Sequence, residues 1–136
     1  MNSPHFSDAE LSCRHCGVNL CTPELVDALE ALRAVVGVQI ALDCAYRCPA
    51  HNLAVGGVPD SEHTRGLAAD IKIAGMTTRQ MYRAAVQVPA FAAGGIGVAA
   101  HQGFIHVDVR SHRARWLYDI TGKATPMWDT SLDVAV

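Results

Sequence analysis

The chain has no excess of positive charge and little charge at all: 11 lysines and arginines stand against 13 acidic residues, and charged residues are 18% of the 136. A net charge of −2, with no basic stripe beside the few aromatic residues, gives no footprint for a polyanion, so nucleic acid is not an expected partner. Long apolar runs are missing too. No stretch approaches the roughly 20 apolar residues that a spanning helix needs, so membrane insertion is not expected. The first eleven residues, with His5, Asp8 and Glu10, lack both the basic start and the apolar stretch of a secretory signal. The expectation is a chain that is cytoplasmic as synthesised and acts elsewhere only if released or exported. Repeats, low-complexity tracts and linkers are absent, and the length suits a single domain over residues 1–136, expected to be monomeric. Half of the residues are apolar, a balance that belongs to a folded globular protein.

The five cysteines, Cys13, Cys16, Cys21, Cys44 and Cys48, are an odd number, which suits a reducing compartment better than a fully paired disulfide framework. Cys13-Arg-His-Cys16 has the spacing of a zinc knuckle, but no second Cys-x-x-Cys follows. The simpler reading takes the cysteines as small free or core residues. The alternative is a disulfide, or a second, structural zinc completed by Cys21 or Cys48.

Local signals divide the chain into helices and strands. Ser7 and Glu10 form a capping box for a short helix. Thr22-Pro23-Glu24 opens a longer one, with Leu25, Val26, Leu29, Leu32 and Val36 at helical spacing up to Gly37. Val38 to Asp43 alternates like a strand, Pro49 to Val55 suits a short helix, and Gly56 to Asp60 is a loop. Leu67 to Ile73 has strand character, and Thr77 to Val88 reads as a helix stopped by Pro89. Gly94 to Val98 and Gly103 to Val109 read as strands, Arg115 to Tyr118 as an edge strand with Trp116 packing the sheet edge or, as the alternative, walling a substrate site, and the tail from Thr121 onward carries no signal.

In the strand after Gly103, Phe104, His106 and Asp108 share one face, while Ile105, Val107 and Val109 share the other. Polar groups inside a Val/Ile strand cost stability unless they have partners. His63, on a polar glycine-bearing loop, and Asp70, on the following strand, supply those partners: with His106 they form two imidazoles and a carboxylate suited to one zinc ion. Three such ligands and an open position make a catalytic site, whereas a fourth side chain would make it structural.

The ordered series Tyr46-Arg47-Cys-Pro-x-His51-Asn52, Gly56-Gly57, Ser61-x-His63-x-x-Gly66-x-Ala68-x-Asp70, Gly95-Ile-Gly97 and Phe104-Ile-His106-Val-Asp108 resembles the peptidase M15 family. More narrowly it is similar to small phage and prophage domains related to zinc D-Ala-D-Ala carboxypeptidases and peptidoglycan endopeptidases. The resemblance implies an α+β fold of the hedgehog/D-Ala-D-Ala peptidase type, with a small, mainly antiparallel sheet, helices on one face and a zinc cleft on the other. It implies that His63, Asp70 and His106 hold one catalytic Zn2+, that Arg47 faces the substrate, and that the substrate is peptidoglycan or a muropeptide. Ser61 either bonds substrate or braces its loop.

Many relatives carry an acidic residue three positions before the last zinc histidine, and this chain has Gly103 there. Three groups could serve as the base instead. Asp108 shares a face with His106, or else orients its imidazole; His101 has a suitable pKa range, or else is an exposed loop residue; Glu62 adjoins a ligand, or else points away. Asp108 and His101 rank above Glu62. The missing acid also sustains a rival reading, a non-catalytic zinc module that binds cell-wall peptides or builds a phage structure. A cysteine-based zinc interaction domain is a third.

Overall fold

Capping chemistry sets the first two helices. In α1 (Asp8–Leu11) the Ser7 hydroxyl accepts from the Glu10 amide at 3.1 Å while the Glu10 carboxylate accepts from the Ser7 amide at 3.0 Å. In α2 (Pro23–Val36) Thr22 caps the start and Gly37, at φ 71°, closes the end. The computed structural model describes residues 3–58 and 61–127. Pro59 and Asp60 of the expected loop, and the tail beyond Met127, lie outside the described residues.

The remaining elements are β1 (Ala41–Cys44), α3 (Pro49–Ala54), a 3-10 turn (Glu62–Arg65), β2 (Ala68–Lys72), α4 (Thr78–Ala85), α5 (Pro89–Ala92), β3 (Gly95–Ala99), β4 (Phe104–Asp108), β5 (Ala114–Tyr118) and β6 (Ala124–Pro126). Six strands form one open sheet in the order β1-β2-β4-β3-β5-β6, antiparallel throughout except for the parallel β3–β5 pair. The fold is α+β with a mixed, mostly antiparallel sheet, as expected.

Three details differ from the sequence expectation. The first strand starts at Ala41, because Val38 is exposed and leads out of the helix cap. The helix expected up to Val88 stops at Ala85, with Val86 as its C-cap, and a separate helix follows: Val88, held extended at φ −94° and ψ 112° by the proline after it, is the N-cap of α5, and Pro89 is its first residue. The strand with Trp116 is not an edge. It lies between β3 and β6, and β6, drawn from the tail that carried no signal, is the edge, short and ending in Pro126.

The sheet's two faces divide by parity. Ala69, Ile71, Ile96, Val98, Ile105 and Val107 point into a core shared with Leu25, Leu29 and Leu32 of α2, Met81 and Ala85 of α4, and Phe91 of α5. Arg115 also lies on this side, 4% exposed, and its guanidinium donates to the Ala92 and Gly94 carbonyls at 2.8 Å. Those carbonyls at the end of α5 supply the acceptors that make a buried cation tolerable. The opposite face carries Asp70, His106 and Asp108, and it is the floor of a cleft.

Candidate metal centre

Register alone brings two of the three expected ligands together. Asp70 of β2 and His106 of β4 are direct cross-strand partners, so their side chains rise side by side from the sheet. His63 arrives from above, on the 3-10 turn. Ser61 starts that turn by accepting the His63 amide at 3.2 Å, and Gly66, at φ 72°, ends it. A side chain at Gly66 would collide with the Leu20 carbonyl as well as strain the backbone.

The three groups converge on one point. One donor atom from each of His63, Asp70 and His106 lies within 4.8 Å of the other two. His63 Nε2 is 3.3 Å and His106 Nδ1 is 3.1 Å from the same Asp70 oxygen, Oδ1. The other nitrogen of each ring is already committed. His63 Nδ1 donates to the Ala45 carbonyl at 2.9 Å, and His106 Nε2 donates to Asp108 Oδ2 at 2.7 Å. A carbonyl and a carboxylate can only accept, so these bonds place a proton on each outer nitrogen and turn a lone pair of each imidazole toward Asp70 once the inner proton is lost. That is the geometry of imidazole ligands held by outer partners. Two nitrogens and one carboxylate oxygen, with no fourth side chain in the group among the described residues, fit a zinc ion with an open position.

The electrostatics agree. Burial pulls the His63 imidazolium down, but the Asp70 carboxylate outweighs it and holds the pKa at about 9. His106 is likewise raised to about 9, against burial, by Asp108 and Asp70. Burial pushes both carboxyls up, but the histidines, and for Asp108 also Arg110, carry Asp70 and Asp108 well below the usual range. The cluster is a concentration of negative charge that a cation, or failing that a proton, must balance.

Asp108 is wholly buried and saturated. Its Oδ1 accepts from the Gly95 amide at 2.8 Å and from the Arg110 amide and Nε at 3.1 and 2.9 Å, while Oδ2 accepts from His106 and from Arg110 Nη2, both at 2.7 Å. It meets His106 at the nitrogen that does not face Asp70. Of the two roles open to it, the geometry supports orientation of the imidazole. His101 lies exposed in the β3–β4 turn with Gly103, whose φ of 79° suits a glycine. Glu62 is the candidate brought to the cleft. It lines the wall with its Oε2 buried and without a hydrogen-bond partner among the described residues.

The cleft measures about 740 Å³ and is bordered by His63, Asp70, His106, Arg47, Glu62 and Trp116. Arg47 presents a buried Nε with no partner among the described residues, and its Nη2 reaches Ser61 Oγ at 3.5 Å. Ser61 itself, 5% exposed and engaged with the His63 amide, braces the turn. Trp116 lies against the His106 ring, centroids 5.0 Å apart, with the Arg110 guanidinium 5.1 Å above the indole. Gly97, its register partner on β3, makes room for it; a β-carbon there would overlap the indole. The sequence reading missed Arg110 and Tyr118 as cleft residues and preferred the sheet edge to a substrate wall for Trp116. Their signal was present in the alternation of Trp116 and Tyr118 with Arg115 and Leu117, and in the two-residue step from Asp108 to Arg110.

The family model for peptidase M15 matches residues 4–108. The chain belongs to the peptidase M15 family. The matched span contains the His-Asp-His group, Arg47, Glu62 and Asp108, and it stops before β5, so the Trp116 wall lies beyond it. A search of curated proteins found no match. Membership in a peptidase family and a buried His-Asp-His group consistent with a zinc site point the same way: toward metal-dependent hydrolysis.

Proposed function

We propose that this M15 protein is a zinc peptidase that cleaves amide bonds beside a D-amino acid in peptidoglycan stem peptides or cross-links, as a D,D-carboxypeptidase or an endopeptidase. One observation carries the catalytic part: two imidazoles with protonated outer nitrogens and one carboxylate meet at the floor of a cleft, with no fourth side chain in the group among the described residues. Zinc, when bound there, supplies Lewis acidity and activates water near neutral pH. The wall substrate rests on the family.

The chain's own residues complete the chemistry. Arg47, with an unsatisfied buried nitrogen in the cleft, binds a substrate carboxylate or the oxygen that gains charge as the amide carbon is attacked. Glu62 takes the proton from the attacking water and returns it to the leaving amine, in place of the acid absent at Gly103. Asp108 keeps His106 in the ligating tautomer, and Arg110 keeps Asp108 ionised.

The test is incubation of zinc-loaded protein with purified peptidoglycan and muropeptides, with product masses as the readout and His63→Ala as the control. Loss of D-alanine indicates carboxypeptidase action, and separated stem peptides indicate endopeptidase action. Zinc-loaded protein that leaves every substrate intact supports the rival, a binding module, which the bare Gly103 position favours.

A further inference from the structure

Away from the cleft, a second group of soft donors converges. Cys13, Cys16 and Cys48 bring their sulfurs within 4.8 Å of one another, although Cys48 is 35 positions from Cys13. Sulfurs around a tetrahedral zinc at Zn–S of 2.3 Å stand about 3.8 Å apart, so a small contraction completes the shell. A disulfide would join two of the three and leave the third stranded beside it.

The surroundings are built for thiolates. Cys13 Sγ accepts from the backbone amides of His15 and Cys48, each at 3.4 Å, and Cys48 Sγ accepts from the His51 amide at 3.4 Å. Backbone donors aimed at sulfur stabilise the anion that binds metal. The knuckle is closed by bonds from the Gly17 amide to the Cys13 carbonyl, 2.9 Å, and from the Cys13 amide to the Val18 carbonyl, 2.8 Å. Gly17 takes φ 74°, which lets the chain turn directly after Cys16. A fourth donor stands beside the group, next to Cys48 but outside the 4.8 Å that the three sulfurs share. His15 Nδ1 lies 3.5 Å from Cys48 Sγ, and the His15 ring is stacked parallel on His51, 5.8 Å between centroids. Cys21 is not part of the group: its sulfur lies 3.5 Å from the Leu11 carbonyl, and burial pushes its thiol up to about 11.

We infer that Cys13, Cys16 and Cys48, with His15 as the fourth ligand, bind a structural zinc ion distinct from the ion of the cleft. Once the His15 ring swings in from beside Cys48, three thiolates and an imidazole close the shell, so this ion has no open position and does no chemistry. Its effect is positional. Cys48 follows Arg47, and the ion ties the Arg47 turn to the loop after α1, fixing the backbone that presents the guanidinium to the cleft.

The test needs two counts of metal on protein purified under reducing conditions: zinc per chain by elemental analysis, and the thiolate-to-cobalt charge-transfer band after substitution with Co2+. Two zinc ions are expected in the parent, one in His63→Ala and one in Cys16→Ser. The cobalt band should persist in His63→Ala and vanish in Cys16→Ser. The parent and His63→Ala suffice if Cys16→Ser fails to fold. A single zinc that His63→Ala removes, without a thiolate band, overturns the inference and leaves the peptidase reading intact. A single zinc with a thiolate band that His63→Ala retains does the reverse. A disulfide among the three cysteines, found by the mass of alkylated protein to which no reductant was added, also overturns it.

Discussion

Replacing Asp108 with asparagine separates an orienting carboxylate from a catalytic base. The amide has the same shape but one acceptor and one donor, and its orientation is decided by neighbours that cannot turn. Oδ1 faces two backbone amides, those of Gly95 and Arg110, beside Arg110 Nε, whereas Oδ2 faces only side chains, His106 and the Nη2 and Nε of Arg110. The asparagine oxygen therefore keeps the Oδ1 position, and its NH2 group points at His106 Nε2. Two donors cannot share that bond, so the neutral imidazole moves its proton to Nδ1, the nitrogen that faces Asp70. The ligand lone pair is lost. Outer-partner changes of this kind cost roughly 10- to 100-fold in metal affinity, or about 1.4 to 2.7 kcal/mol. Folding should survive, with about 2 kcal/mol lost from the charge-assisted bond to Arg110, whereas Asp108→Ala, which strands Arg110 and His106, should cost about 3 to 5 kcal/mol. Zinc affinity measured by competition with a chromogenic chelator is the assay. Unchanged affinity with abolished turnover would refute the reasoning and make Asp108 the base.

Three further outcomes follow from the same geometry. Glu62→Gln should keep its zinc and lose about 10²- to 10⁴-fold in kcat, while His101→Ala keeps its activity; full turnover in Glu62→Gln removes Glu62 from the mechanism. Gly97→Ala should lose about 1 to 3 kcal/mol in urea denaturation, because its β-carbon overlaps an indole already packed on His106; an unchanged midpoint would mean that Trp116 moves aside freely. The metal-free protein should lose stability at alkaline pH. His63 and His106 are raised to about 9, so their stabilisation is complete below about pH 6.5 and is lost as the pH climbs through 9, the window in which departing protons also favour zinc. Urea midpoints of chelated protein at about pH 6 and about pH 9.5 check the sign, and a higher midpoint at the alkaline end contradicts it.

What could be read from the sequence was what period and local capping control. The parity of Phe104, His106 and Asp108 put functional groups on one face of β4, and antiparallel pairing with β2 set Asp70 against His106. The caps at Ser7, Thr22 and Gly37 are where side-chain chemistry puts them. What escaped depends on contacts between distant segments. The parallel pairing of β5 with β3, which turns Trp116 into a cleft wall, has no local mark, and β6 is too short to have a pattern. The direction of Glu62, into the cleft wall, follows from a 3-10 turn that polar loop composition does not reveal. The cysteines were legible in part: Cys48 was one of the two residues offered to complete a group with Cys13 and Cys16. Cys16 is exposed, so it is no core residue, and its partner Cys48 joins it only through the folding of the Arg47 turn.

The most direct measurement is the anomalous scattering of zinc-loaded crystals at the zinc edge. An ion should lie between His63 Nε2, Asp70 and His106 Nδ1, at about 2.0 to 2.2 Å from each, with the fourth position open to the cleft. A zinc-saturated crystal with no anomalous peak there, or with a fourth side chain closing the shell, would contradict a catalytic metal at this site.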